Sequence, residues 1–284
     1  MAKGNLLLGT AGNSVGDVVM YRREGAQVSR VRVRKIKNPK TDAQSLQRAA
    51  FSPVAKFYSP LAVVLERSFE GLSKMKSYNK FLKTNIDLAR ANDWLLPKGT
   101  GFFPLPYKLS QGSLPVVSAS WANDLGAVKL TIPHVATAAA TVGDFSQDMI
   151  AAGYQAGDIV TVICVAGANA NANFIPINYQ FALDTTSTTT LVSLQKMEIG
   201  LTFDSDTSSW VLSSANDDLG AGAVIVARFE NEKWRRSTQV LVVKDSIISA
   251  IVESTYRDAA IASYGPNAGD PNPLVYLDGD TLEG

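Results

Sequence analysis

The chain has 284 residues, 46% of them hydrophobic, with a mean hydropathy of +0.03, a composition that excludes a disordered polymer and is long enough for two cores. A single cysteine, Cys164, excludes an intramolecular disulfide, and a single histidine, His134, excludes a clustered Cys/His metal site. The formal net charge of +1 hides an asymmetry: residues 1–111 carry 19 Lys/Arg against 7 Asp/Glu, whereas residues 112–284 carry 8 against 19.

Such a split suits a polyanion-binding half joined to one that avoids polyanions, and it also suits head-to-tail self-association of basic on acidic halves. Residues 1–16 are punctuated by Gly4, Gly9, Gly12 and Gly16. The GTAGNSVG run lacks the Gly-Lys-Ser/Thr ending of a phosphate loop, so an extended arm is expected there.

A β-hairpin follows. Its first strand is expected over Asp17–Arg22, its turn at Glu24-Gly25, and its second strand from about Gln27 to Lys37. Arg30, Arg32 and Arg34 alternate with Val31 and Val33, so the arginines share one face, about 6.6 Å apart along the strand. Arg22, Arg23, Lys35, Lys37, Lys40 and Arg48 surround this ladder in sequence and complete a candidate phosphate-binding set. A charged, solvated edge strand and a protein interface are the alternative readings of the same pattern.

Asn38-Pro39 marks a turn, and Thr41-Asp-Ala-Gln44 fits a capping box, so a helix should begin near Asp42. Its apolar stripe runs through Leu46, Ala50, Val54, Phe57, Leu61, Leu65 and Phe69, and Pro53 and Pro60 predict a kinked helix or two short ones. A second helix is predicted from Ser73 to Asn92, with Met75, Tyr78, Leu82, Ile86 and Ala89 inward and Lys74, Lys76, Lys80, Lys83 and Arg90 outward.

Residues 96–115, rich in Pro and Gly, read as an interdomain connection packed through Phe102, Phe103 and Tyr107. Beyond it the texture is strands and turns. Strands are expected at Val116–Trp121, Val128–Ile132, Ile159–Ala166, Tyr179–Leu183, Thr190–Met197, Ser209–Ser213, Val224–Phe229 and Ser237–Val243, with a short helix at Phe145–Ala152. A final amphipathic helix is predicted over Asp245–Tyr264, followed by an acidic tail carrying Asp270, Asp278, Asp280 and Glu283. The chain thus reads as an α+β, multidomain protein: a basic hairpin-helical region (1–95), a connection (96–115), an acidic antiparallel sandwich-like domain with a terminal helix (116–264) and a tail (265–284).

Chemistry-bearing patterns are sparse. Cys164 lies in the apolar run IVTVICVAG, which favours a buried, inert thiol. Asp204 and Asp206 lack the glycine and terminal glutamate of a calcium loop. Arg235-Arg236 beside Trp234 is a small basic-aromatic patch in the acidic region, suited to a rim salt bridge or to base stacking. No catalytic residues, metal ligands or cofactor are expected, and the protein reads as a non-enzyme. No apolar run approaches the roughly 20 residues that span a bilayer, and no signal peptide is visible, so the expected location is a host cytoplasm or a particle assembled there.

The opening of the chain also carries a resemblance. MAKGNLLLG (1–9), VGDVVMYRR (15–23), QVSRVRVR (27–34), KNPKT (37–41) and QSLQRA (44–49) resemble a protein family of microviruses, small single-stranded-DNA phages of gut bacteria. A broader set of gut Bacteroidetes proteins of unknown function shares a similar opening, and WRRSTQVLVV (234–243) is a weaker echo. The resemblance is specific over about residues 1–50 and looser to about 90. It implies a single-stranded-DNA-binding protein, with the basic hairpin neutralising phosphates and Tyr21 offering a stacking surface. The competing expectation is a virion structural or assembly protein, a homo-oligomer or a partner of other virion proteins.

Overall fold

The structure is a computed structural model that describes residues 3–5, 10–15, 17–23, 26–32, 41–99, 101, 103–167, 174–216, 218–252 and 254–265. The chain divides into two compact units, Met1–Lys40 with Gly269–Gly284, and Thr41–Ala268.

In the first unit, β1 (Lys3–Asn5), β2 (Thr10–Val15), β3 (Val18–Arg23) and β4 (Ala26–Val31) form an antiparallel sheet in chain order. The expected hairpin is β3–β4. Val18 pairs with Val31, Val19 with Arg30 and Tyr21 with Val28, and the Arg32 amide donates to the Asp17 carbonyl at 2.6 Å. The β-branched run Val18-Val19 suits the pleat, and the alternation around Arg30 fixes which side chains share a face. The second strand ends at Val31. The expected turn at 24–25 and the expected strand extension over 33–37 lie outside the described residues.

The second unit begins with α1 (Asp42–Leu65), whose N-cap Thr41 accepts from the Gln44 amide. Despite Pro53 and Pro60 it is one continuous helix. The side chains of Val54, Phe57, Leu61 and Leu65 are all fully buried, which contributes on the order of 6–12 kcal/mol. Two interior prolines cost about 6 kcal/mol, so packing holds the helix together.

The second helix, α2 (Lys74–Ala91), turns most of the expected face inward, with Tyr78 and Leu82 partly buried against the core, but it adds Ser77, Phe81 and Asn85 to that face and leaves Met75 out of it. Ser77, Phe81, Asn85, Ile86 and Ala89 are buried, and Met75 is 67% exposed. The polar members have backbone partners: the Asn85 side chain accepts from the Lys108 amide (2.7 Å) and donates to its carbonyl (3.1 Å), and Ser77 Oγ accepts from the Phe69 amide. Phe81 packs near Phe57 and Tyr107, with ring centroids 6.4 Å from each.

Residues 96–115 are packed through Phe103 and Tyr107, as expected, while Phe102 lies outside the described residues. Leu96, Phe103, Leu105, Tyr107 and Leu109 are buried, and β5 (Lys108–Ser110) pairs with β14 (Gln239–Val240). The domain boundary expected here lies inside the compact unit of residues 41–268, so helices and sheets share that unit.

Two antiparallel sheets follow. One has the order β10 (Ile199–Asp204), β11 (Ser209–Ser214), β7 (Ala127–Thr131), β6 (Ser118–Ala122). The other has β13 (Lys233–Arg236), β12 (Leu219–Glu230), β8 (Ile159–Ala166), β9 (Ile175–Ala182), with β15 (Val242–Val243) also on β12. The β8–β12 pair is buried on both faces. Val160, Val162, Cys164, Val224 and Val226 join one core with Trp210, Leu212, Leu130 and Phe145 of the facing layer. Ile163, Val165, Ala221, Ala223 and Ile225 join the other core with α1, α2 and the stretch 94–109. The result is an α+β arrangement in which helices cover a sheet that itself packs on a second sheet. Gly222 permits the sheet-on-sheet approach, since a Cβ there would come within 2.7 Å of the Leu212 side chain.

Smaller differences have local causes. The strand expected at Thr190–Met197 is instead α4 (Leu191–Leu194), because only Leu191 has a buried site while Val192 is 70% exposed. Met197 and Glu198, both with positive φ, then turn the chain into β10. The short helix, α3 (Val142–Ala151), starts on a capping box between Thr141 and Asp144. The last predicted helix is two, α5 (Asp245–Val252) and α6 (Ser254–Ala262). The acidic tail from residue 266 lies outside the described residues.

Candidate nucleic-acid interface

Arg30 sits in β4 and Arg32 just past its end, and both are exposed. Because directly opposed residues of an antiparallel pair share a face, Val19, Tyr21 and Val28 lie on the same face as Arg30. The Arg30 guanidinium stands over the Tyr21 ring, 5.8 Å from its centroid, and Tyr21 is itself 39% exposed. The face thus interleaves a cation with an aromatic ring, and the cation–π contact orients a guanidinium that retains free donor edges. Val31, on the opposite face, is 72% exposed, so the valine face is not a buried one within the described residues.

Arg22 and Arg23 close the β3 strand, paired in the ladder with Gln27 and Ala26. Arg34, Lys35, Lys37 and Lys40 lie outside the described residues. Arg48 belongs to the second unit. It is half-buried in α1, and its charge reaches the Tyr264 hydroxyl, whose pKa burial raises and the Ser52 bond and Arg48 pull back. Within α2, Lys76, Lys80, Lys83 and Arg90 are exposed, and Lys74 bonds Glu66 at 2.7 Å.

The sequence reading missed one buried polar centre. The Asp148 carboxylate, on α3, accepts from Val135 N (2.6 Å), Ala136 N (2.9 Å) and the indole Nε1 of Trp210 (2.6 Å), and lies 2.7 Å from His134 Nδ1. Burial alone would raise its pKa, but the bonds from His134, Val135, Trp210 and Ala136 outweigh that and hold it below the ordinary aspartate value. His134 stacks on Phe203 at 4.4 Å. A carboxylate orienting an imidazole is also half of a nucleophilic triad, but among the described residues no hydroxyl or thiol hydrogen-bonds the ring. The centre fastens the 134–136 loop to the sandwich. No sequence spacing announces it, since its three side chains lie 14 and 62 residues apart.

A buried ion pair, Asp158 with Arg228, is bidentate at 2.7 Å and 2.7 Å. Cys164 is fully buried, and burial pushes its thiol up to about 12. Among the described residues no group of three His, Cys, Asp or Glu is placed to hold a metal ion, and no helix is long and apolar enough to cross a membrane. At the basic-aromatic patch, Arg235 pairs with Glu230 at 3.2 Å, while Arg236 stands over the Trp234 ring at 5.3 Å.

These features define an α+β protein with an exposed arginine-bearing hairpin and a densely cored sheet-and-helix unit. Residues 9–94, less than a third of the chain, match a family of unknown function (DUF6266), a segment that runs from β2 through α2. No curated protein and no solved structure matches the chain.

Proposed function

We propose that the protein binds single-stranded DNA through its N-terminal hairpin, without reading sequence, as a protein of a small DNA phage. The observation that carries this reading is the Arg30–Tyr21 arrangement: an exposed guanidinium stacked on a half-exposed ring, with exposed Arg32 next on the same side of the strand. Same-face residues on a strand stand about 6.6 Å apart, a spacing that suits successive phosphates of an extended strand. The resemblance of residues 1–50 to the microvirus family supports the same reading, as does the excess of 19 Lys/Arg over 7 Asp/Glu in residues 1–111.

Phosphate contacts of this kind give salt-dependent affinity, with a log–log slope of about −0.7 per neutralised phosphate on single strands. The test is a salt titration of binding to a fluorescent single-stranded oligonucleotide, wild type beside the Arg30→Ala/Arg32→Ala/Arg34→Ala variant. Loss of three contacts flattens the slope by roughly 2. Absence of binding at low salt, or a slope indifferent to the arginines, overturns the proposal and favours the assembly reading, for which sedimentation of the free protein would then show ordered oligomers.

A further inference from the structure

The tip of the β12–β13 hairpin presents a different basic-aromatic surface, built wholly within residues 41–268. The ladder pairs Phe229 with Trp234 and Ala227 with Arg236, so Phe229, Trp234 and Arg236 share one face. Arg228, Glu230, Lys233 and Arg235 take the other, where the carboxylates of Asp158 and Glu230 hold the two arginines. On the first face Trp234 has two close neighbours, the Phe229 ring at 5.2 Å and the Arg236 guanidinium at 5.3 Å. Phe229 is nevertheless 61% exposed, a large ring left in water at a hairpin tip.

Arg236 is unusual for a cation. Its Nε is buried with no hydrogen-bond partner among the described residues, and burial depresses its basicity. A guanidinium held this way is costly unless an anion reaches its remaining edge. Beside the hairpin lies a groove of about 520 Å³, lined by Trp234, Lys233 and Arg235 of β13 together with Arg67, Gly71 and Ser73; Phe229 and Arg236 adjoin Trp234 outside it. Glu70 also borders it, but its carboxylate is occupied by the amide (2.7 Å) and hydroxyl (3.0 Å) of Ser113. Glu230 is occupied by Arg235, and Glu232 stands at the turn. Cations and carboxylates therefore nearly balance around an aromatic centre, which suits a flat ring with a single anionic neighbour better than a run of phosphates.

We propose that this groove takes an unpaired nucleobase of a single strand, stacked on Trp234, which the Phe229 ring backs from outside the groove, with an adjoining phosphate met by the cations at the groove's rim. The inference rests on the nucleic-acid reading above but concerns a separate surface. Every base has a π-face, so such a contact is sequence-tolerant, and stacking does not release counterions. The two surfaces then divide the work: the N-terminal hairpin supplies salt-dependent attraction, and the groove supplies a salt-insensitive hold.

The test uses the full chain, a short oligothymidylate and three variants, Phe229→Ala, Trp234→Ala and Trp234→Phe, each checked by circular dichroism. The expected result is a loss of about 5- to 150-fold in affinity for Trp234→Ala, a smaller loss for Phe229→Ala, whose ring only backs Trp234, and near-complete retention for Trp234→Phe, with the salt slope unchanged throughout. Oligonucleotide binding should also quench tryptophan emission in the wild type more than in Trp234→Phe. Phe229 is mostly exposed, so its variant keeps the test valid if Trp234→Ala fails to fold. Wild-type affinity in Phe229→Ala and Trp234→Phe quenching equal to wild type would overturn this inference while the hairpin arginines still set the slope. Loss in the ring variants with a slope indifferent to Arg30, Arg32 and Arg34 would instead overturn the hairpin reading alone. No binding to any single strand overturns both and makes the groove a protein-docking surface.

Discussion

Replacing Asp148 with alanine removes one acceptor from four groups at once. Two of the orphaned donors are deeply buried: Ala136 is 8% exposed and Trp210 not at all. A buried donor left without a partner costs about 1–3 kcal/mol, so these two alone give about 2–6 kcal/mol, with His134 and the Val135 amide adding less because both reach water. A central expectation is a loss of about 4 kcal/mol. For a unit of this size that corresponds to a fall in Tm of roughly 8–16 °C. Asp148→Asn should cost about half as much, because the amide oxygen still accepts while its NH₂ faces a donor. Urea unfolding followed by near-ultraviolet circular dichroism reports the loss, with Trp210 as the built-in probe. The pH dependence has a definite sign. The folded carboxyl is held below its unfolded value of about 3.9, so its contribution is complete above that pH and disappears as pH falls through the lower, folded value. The wild type should therefore lose its advantage over Asp148→Ala on acidification below about pH 4. A destabilisation under about 1 kcal/mol, or an advantage that grows on acidification, would refute the account of this centre.

Two other expectations follow from the cores. Asn85→Ala should destabilise by about 2–3 kcal/mol, since it strands both the amide and the carbonyl of Lys108 at the edge of the helical core, and chemical denaturation measures this directly. Cys164 should resist thiol reagents at pH 8 in the folded protein and react only on unfolding, because burial has pushed its thiol up to about 12; rapid labelling of the native chain would contradict its placement between the two sheets.

The elements that were legible in the sequence are those whose pattern and burial coincide. Ile159–Ala166 could be placed to the residue because an unbroken apolar run bounded by Gly157 and Gly167 has few other fates. The hairpin was legible from its alternation, and the start of α1 from its cap. The face of α2 was legible at Tyr78, Leu82, Ile86 and Ala89, but its polar inward positions were not, because Asn85 and Ser77 are hydrogen-bonding partners of backbone outside the helix, which a count of apolar residues does not reveal. In the stretch 96–115 the packing of Phe103 and Tyr107 was legible, but prolines and glycines, which mark a chain without regular structure, hid that Leu105 and Leu109 are wholly buried as well. Of the candidate site, Arg30 and Arg32 could be grouped by strand period alone, whereas Tyr21 joins Arg30 only through the β3–β4 register. Arg48 could not be placed that way, since nothing local reveals that its neighbour is Tyr264. The exposure of Phe229 was equally hidden, because the pattern of β12 is apolar along most of its length.

The wall formed by β8 and β12 has a mechanical consequence. Each face of that wall completes a different core, so neither the helical layer nor the outer sheet can detach without baring the other's lining. Residues 41–268 should therefore melt as one body. The same coupling means that the family-matched segment ending at residue 94 is not a foldable module. Cut there, Phe57 and Phe81 would lose Tyr107, Leu105 and the strands that roof them, and the severed helices would present a sticky flank to solvent. The two helices of the matched segment thus rest on a partition, β8 and β12, supplied from beyond its end.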